Sequence, residues 1–281
     1  MEIHFKNQQQ QPRLLDLRQV QIMGILNFTP DSFSDSGKFF SLDKALVQVE
    51  KMLNDGAYII DIGGESARPN AALIVSEAEE LDRVIPLIEA VRQRFDCLIS
   101  VDSSKPAVFR EAARAGVDML NDIRALTEPQ ALETAAELAL PVCLMHMQGT
   151  PQTMQQAPHY DDLLDDVADF LNQRIFACLQ AGIEQSHIIL DPGFGFGKTI
   201  EHNFALLKHL NAFVASGFPV LAGLSRKSMI GAVTNQPVEK RLVGSVAGAL
   251  LAAQNGAKIL RVHDVEATAD ALKVWQAMQA A

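Results

Sequence analysis

Asn27, Asp61, Asp102, the Asn121-Asp122 pair, His146, Asp191, the Ser225-Arg226-Lys227 triplet, Arg261 and His263 each stand on or just past the end of a short apolar run. Every one is costly to bury without a partner. They divide by chemistry. Asp102, Asn121 and Asp191 supply acceptors and an amide suited to the edge of a heterocycle with adjacent N–H donors, because one carboxylate can accept two parallel N–H groups. Arg68, Lys227, Arg261 and His263 are cationic donors suited to phosphate. Taken singly, an aspartate after a strand is more often a helix cap than a catalyst. Asp61 and Asp122 are open to that reading, and His146 to that of a satisfied core histidine. Eight strand ends carrying such groups argue for one site.

The stretch Asp191-Pro192-Gly193-Phe194-Gly195-Phe196-Gly197-Lys198-Thr199 looks at first like a phosphate cradle. A P-loop requires Gly-x-x-x-x-Gly-Lys-Ser/Thr, and here Pro192 occupies the first glycine's place, with neither the N–H nor the dihedral freedom needed. The dinucleotide fingerprint fails too, since Gly193, Gly195 and Gly197 are spaced two and two. What ends the strand is a carboxylate. There is no His-Glu-x-x-His, no cysteine set, no calcium loop and no hydrolase nucleophile elbow. A magnesium ion held by one or two protein oxygens plus substrate phosphates leaves little motif, and that option stays open.

The elements that position these groups follow a regular rhythm. Val20–Leu26, Tyr58–Ile62, Cys97–Val101, Met119–Leu120, Val142–Met145, Ile188–Leu190, Val220–Leu224 and Lys258–Val262 read as strands. Between and after them, Leu42–Leu53, Glu77–Phe95, Lys105–Ala115, Pro129–Ala139, Tyr160–Ala181, Asn203–Ser216, Glu239–Asn255 and Val265–Met278 read as helices. The strands are short, apolar throughout and rich in Ile, Val and Leu, as in a parallel sheet buried on both faces. Eight such units without a linker predict an α/β protein: a single (β/α)8 TIM barrel over 19–281, its active site at the C-terminal ends of the strands. Residues 1–18 are polar and glutamine-rich, a loose arm or a capping hairpin. The long connections Thr29–Ser41, Gly63–Ser76 and Gly149–His159 have the length of functional loops.

The 281 residues, 48% hydrophobic and 21% charged, bury a large core, and a net charge of −10 argues against a nucleic-acid or anionic-membrane surface. Cys97 and Cys143 lie in apolar runs and read as buried small hydrophobes. Neither a signal peptide nor an apolar run near membrane length is visible, which suits a soluble cytoplasmic protein.

Several motifs together resemble those of dihydropteroate synthases, from about residue 22 to the end, in order and spacing. They are Met23–Asp35, Asp61–Pro69, Ser100–Ser103, Asn121–Ile123, Met145–Met147, Asp191–Lys198, Ser225–Ser228 and Arg261–Asp264. The resemblance implies a barrel that condenses a dihydropterin methyl diphosphate with 4-aminobenzoate in folate biosynthesis, with Mg²⁺, as a homodimer and a sulfonamide target. It also implies residue roles. Asp102, Asn121, Ile123, Met145, Asp191 and Lys227 would bind the pterin, and Asn27, Arg68, Arg261 and His263 the diphosphate, with Asn27 also at the metal. Phe33, Asp35, Arg68, Pro69, Phe196 and Ser225 would form the aminobenzoate pocket and its loops. The catalytic set would be Asp102, Asp191, Lys227, Arg261 and His263.

Three departures from that family's pattern stand out: Ala67 where Thr is usual, and Ser36 and Asn70 where Gly is frequent. The implied route is SN1-like, with diphosphate leaving first and no residue required as an essential base. A pterin-binding methyltransferase domain shares the pterin slot but has no need of the Arg261-x-His263 pair. A non-catalytic pterin binder could dispense with the cationic set altogether.

Overall fold

The computed structural model describes residues 1–28, 38–65 and 75–281, the side chains of 38–41 excepted. The chain opens with an antiparallel hairpin, β1 (Glu2–Lys6) and β2 (Pro12–Asp16), whose Ile3, Phe5 and Leu15 are buried. The alternating part runs β3 (Gln21–Asn27), α1 (Lys38–Asn54), β4 (Ile59–Gly63), α2 (Glu77–Arg94), β5 (Leu98–Asp102), α3 (Pro106–Ala115), β6 (Met119–Asp122) and α4 (Ala131–Leu138). It continues with β7 (Val142–Met145), α5 (Leu163–Gln180), β8 (Ile188–Asp191), α6 (Ile200–Lys208), α7 (Asn211–Val214) and β9 (Leu221–Ala222). Last come α8 (Ser228–Thr234), α9 (Leu242–Gln254), β10 (Ile259–Val262) and α10 (Val265–Ala280).

β3 to β10 form one eight-stranded parallel sheet in the order β8-β7-β6-β5-β4-β3-β10-β9. A parallel bridge between Leu190 and Val220 joins its two edges, so the sheet closes on itself as a TIM barrel. The barrel core is the expected Ile, Val and Leu, with Ile60, Ile99, Val101, Leu120, Ile189, Val220 and Leu260 fully buried.

Helix ends depart from the sequence reading where local chemistry intervenes. The segment expected as one helix over Asn203–Ser216 starts earlier, at Ile200, because Thr199 and His202 form a capping box. It then breaks after Lys208 into α6 and α7. The expected Tyr160–Ala181 helix begins at Leu163, where Asp162 accepts from the N–H groups of Leu164 and Asp165. α8 was not expected at all; its seven residues are too few to show a period. Cys143 is buried as expected, whereas Cys97 is half-buried.

Candidate active site

Side chains alternate across a strand, so residues an even number apart share a face. The register places Asn27, Gly63, Asp102, Asn121, Cys143 and Ile189 as successive neighbours around the wall. Two residues further along lie Met145 and Asp191, again direct partners. On the same parity, Asp61 lies one step below Gly63, and Arg261 pairs across to Met23 and so shares the face of Asn27. One inward face therefore carries almost the whole polar set, while Asp122 and His146 fall on the other parity.

Arg261 is the junction. Its Nε donates to Asp61 Oδ2 and its Nη2 to Asp102 Oδ2, each at 2.6 Å. Asn121 Nδ2 reaches the same Asp61 carboxylate at 3.3 and 3.5 Å, which leaves Asn121 Oδ1 without a hydrogen bond among the described residues. Arg261 Nη1 is likewise unengaged there. Burial works against the arginine's charge, but Asp61 and Asp102 outweigh it and hold its pKa above the usual value. Burial raises the pKa of Asp102 to about 7 against the pull of Arg261, with the charges of Asp61, Glu80 and Asp122 adding to the rise.

Across the barrel, Asp191 Oδ1 accepts from the N–H of Gly193 at 2.7 Å, which fixes the plane of the carboxylate. Burial raises its pKa, and Lys227 is the strongest opposing influence. Lys227 Nζ donates to the carbonyl of Phe194 and lies 4.6 Å from the centre of the Phe196 ring. Its aliphatic stem passes Gly195, where a Cβ would stand 3.0 Å from Lys227 Cδ; the +79° φ there also suits glycine. Burial lowers the Lys227 pKa to about 8, with Asp191 opposing.

At the β9–β10 rim, Ser225 Oγ accepts from the backbone N–H of His263 at 3.2 Å and sits 3.1 Å from its Nδ1. Arg226 takes a left-handed φ of +59°. Its N–H donates to Ser245 Oγ at 2.9 Å, its carbonyl accepts from Arg241, and its guanidinium pairs with Asp264. That bracing holds the turn that delivers Ser225 and Lys227. Asn27 Oδ1 and Asp102 Oδ2 would each stand 3.6 Å from a Cβ at Gly63, so the missing side chain opens the corner between them. A cavity of about 260 Å³ reaches Asp102 and Ile123 from the side of Glu65, Lys105 and Pro151.

Among the sequence candidates, Asn27, Asp102, Asn121, Ile123, Met145, Asp191, Phe196, Ser225, Lys227, Arg261 and His263 all lie at the C-terminal end of the barrel. Phe33, Asp35, Arg68 and Pro69 lie outside the described residues, as do Ser36, Ala67 and Asn70. Asp122 proves to be a loop fastener. It accepts from Ser104 Oγ and from the N–H groups of Arg124 and Leu126, bracing a turn in which Ala125 and Leu126 both have positive φ. Asp61 is no cap; it holds both Arg261 and Asn121. The parity that separates Asp61 from Asp122 was readable in the sequence once the strand end was fixed.

The model of a family described as pterin binding enzyme matches residues 23–263. The dihydropteroate synthase of Haemophilus influenzae is 68% identical over 94% of this chain and 96% of its own. A Yersinia pestis dihydropteroate synthase solved in complex with a sulfonamide drug superposes with a TM-score of 0.91, at 52% identity and 99% coverage of both chains. A Xanthomonas albilineans dihydropteroate synthase in complex with 7,8-dihydropteroate gives a TM-score of 0.88, at 48% identity, covering 96% of this chain and 97% of that one.

Proposed function

The chain belongs to the pterin binding enzyme family and within it to the dihydropteroate synthases, and from that premise we propose how its own residues divide the reaction. The substrates are (7,8-dihydropterin-6-yl)methyl diphosphate and 4-aminobenzoate, and the products 7,8-dihydropteroate and diphosphate. Asp191 accepts from the pterin's 2-amino group and ring N3–H, while Asp102 and Asn121 Oδ1 meet the remaining edge. Lys227 donates to the ring carbonyl and a ring nitrogen, and Ile123 and Met145 wall the slot. Arg261 and His263 take the diphosphate, joined by Asn27 and by Arg68. Phe196 and Ser225 line the aminobenzoate pocket, with Phe33, Asp35, Arg68 and Pro69 closing over it.

The observation that carries this reading is the setting of Arg261. It is fastened at two corners to acids on the pterin side, yet keeps Nη1 for a second anion. A residue so placed touches both halves of the substrate and is aimed before the substrate arrives. When the carbon–oxygen bond to diphosphate breaks first, negative charge grows on the leaving group beside Arg261 and His263. Positive charge grows on the pterin beside Asp102 and Asp191. Each group thus stabilises charge that is larger in the transition state than in the ground state. The neutral arylamine then attacks the exocyclic carbon and sheds its proton to water, so no side chain serves as an essential base.

Mg²⁺ suits the donor set at Asn27. Among the described residues, no group of three or more His, Cys, Asp or Glu is placed to hold a metal. An ion that takes one or two protein oxygens and the substrate's phosphates fits that composition. When bound, it neutralises diphosphate charge and so improves the leaving group.

A homodimer is supported by the exposed Val233, Leu242, Val243 and Leu251 on α8 and α9. The three free cysteines suit the reducing cytoplasm.

Mixing the purified protein with both substrates and Mg²⁺ is expected to release diphosphate and form dihydropteroate; no release overturns the assignment. In single-turnover reactions, diphosphate should also leave slowly when 4-aminobenzoate is omitted. Release that depends wholly on aminobenzoate, and scales with the strength of the amine, would overturn the dissociative route.

A further inference from the structure

Lys198, the lysine of the stretch that mimics a P-loop, takes no part in the reaction above. It is 3% exposed, burial holds its pKa well below the usual lysine value, and its Nζ is met by neutral atoms: His146 Nδ1 at 2.8 Å, the Phe196 carbonyl at 3.0 Å and the His146 carbonyl at 3.5 Å. A lysine buried this deeply, with the charge of Asp191 in its favour but no ion pair among the described residues, is expensive to keep, so its retention calls for a reason. Burial, and after it the charge of Lys198, push His146 down to about 3. His146 is therefore neutral, and its Nδ1 shares a hydrogen bond with Lys198 Nζ.

The turn around Lys198 has little conformational preference of its own. Gly193, Gly195 and Gly197 all have positive φ, at 73°, 79° and 63°. What holds it is a set of donors to successive carbonyls. Phe196 N–H serves Gly193, Lys227 serves Phe194, Gln155 serves Gly195, Tyr160 serves Gly197 and Asn203 serves Lys198. The Phe196 carbonyl is left to Lys198. Lys198 differs from the others in reaching back to the residue after β7, whose N–H is itself bonded to the Asp191 carbonyl at 2.9 Å. Gly193 passes so close that a Cβ there would stand 1.8 Å from the His146 carbonyl oxygen.

We propose that Lys198 is a positioning residue of the aminobenzoate subsite, fixing the Phe196 backbone, and so the Phe196 ring over Lys227, against the end of β7. The inference rests on the reading of Phe196 as a wall of that subsite. Asp191 keeps the Gly193 N–H and its own strand when Lys198 is lost, so the pterin site keeps its shape, and its carboxyl still has Lys227, the stronger of the two lysine influences on it. The decoy lysine holds a wall of the acceptor pocket.

The test is steady-state kinetics on the full-length Lys198→Met, Lys198→Gln and Phe196→Ala variants, with titration of the pterin diphosphate substrate. Lys198→Met is expected to raise the aminobenzoate KM by up to about tenfold, the upper end of what one buried hydrogen bond contributes. Affinity for the pterin substrate and kcat should stay within about threefold. Lys198→Gln, which retains an N–H donor, should recover part of the loss. Phe196→Ala should raise the same KM, and the Lys198→Met/Phe196→Ala double change should add little to it, because both act on one contact.

A KM that Phe196→Ala raises but neither Lys198 variant moves overturns the inference and leaves the subsite reading intact. A KM that Phe196→Ala leaves unmoved overturns the subsite reading itself. Equal weakening of both substrates in Lys198→Gln points to a merely structural lysine and also overturns the inference. Should Lys198→Met fail to fold, Lys198→Gln carries the same comparison.

Discussion

Two buried arginine–aspartate clusters lie at opposite ends of the barrel, and they differ in what they leave unbonded. At the bottom, Asp118 accepts from Asn7 Nδ2 at 3.3 Å, from the Ile99 N–H at 3.0 Å and from Arg92 Nη2, with Arg13 Nε 3.1 Å away. Arg92 spends its remaining donors on the carbonyls of Gly116 and Cys97. At the top, Arg261 is held between Asp61 and Asp102, but its Nη1 and Asn121 Oδ1 remain open among the described residues. Burial raises the carboxyl pKa of Asp118 and Asp102 alike, and an arginine opposes it in each case. The electrostatics are shared; the lower cluster leaves Arg13 Nε unbonded but sealed from solvent against Asp118, whereas the upper one leaves both a donor and an acceptor at the end that binds something. The lower cluster fastens the β1–β2 hairpin, through Asn7 and Arg13, to the mouth below β5 and β6.

If that contrast is right, damage at the bottom reads out as stability and damage at the top as chemistry. Asp118→Ala removes the buried carboxylate that Arg92 pairs with and one of the two acids beside Arg13, and should cost about 3–5 kcal/mol of folding stability. For a chain of this size each kcal/mol moves the melting point by about 2–4 °C, so a loss of roughly ten degrees is expected. The kcat/KM per folded molecule, measured well below the melt, should not change. A variant that melts like the parent would remove the lower cluster from its fastening role.

Arg261→Ala tests the other end. Losing one preorganised donor to developing charge costs on the order of 3–4 kcal/mol of barrier, a factor of 10² to 10³ in kcat/KM. Titration should show affinity for the pterin diphosphate substrate falling far more than affinity for the same pterin lacking diphosphate. Comparable losses for the two would detach Arg261 from the leaving group.

A smaller effect should follow from Asp61→Asn. The amide keeps the shape and one acceptor but gives up the charge that aims Arg261, so a loss of about tenfold in kcat/KM is expected, near 1.4 kcal/mol. The melt should move by no more than a few degrees. Loss of stability without loss of rate would return Asp61 to the structural role that its sequence context first allowed.

What the sequence made legible follows from period and parity. Short Ile/Val/Leu runs fixed the eight strands, and alternation along them put Asp102, Asn121, Asp191 and Arg261 on one face. Asp61 and Asp122 were left alike because both stand near the end of a short apolar strand; their parity separates them only once the strand ends are fixed, one then pointing into the barrel and the other into its own loop. α8 and the break between α6 and α7 were illegible because helices of seven and four residues are too short to reveal a stripe. Lys198 was hidden for another reason. Its partners are a side chain 52 positions away and a backbone carbonyl two residues off, and neither leaves a pattern in the string of residues.

The finest test of the open upper cluster is its titration. Burial raises Asp102 to about 7 and lowers Lys227 to about 8, each against an opposing charge. Below about 7 Asp102 is protonated and ceases to be a full acceptor for the pterin's N–H groups. Above about 8 Lys227 is neutral, and its donation to the ring carbonyl weakens. Affinity for the pterin should therefore peak between the two values and fall by at most about tenfold per unit of pH on either side. The hydroxymethyl dihydropterin is the right probe, since it lacks the diphosphate's own titration. Lys227→Met should lower the plateau and abolish the alkaline fall while sparing the acid limb, and Asp102→Asn should do the reverse. An alkaline fall that persists in Lys227→Met would mean that the open valence at this end is not read through Lys227. The set that distinguishes top from bottom would then shrink to Arg261 and the acids around it.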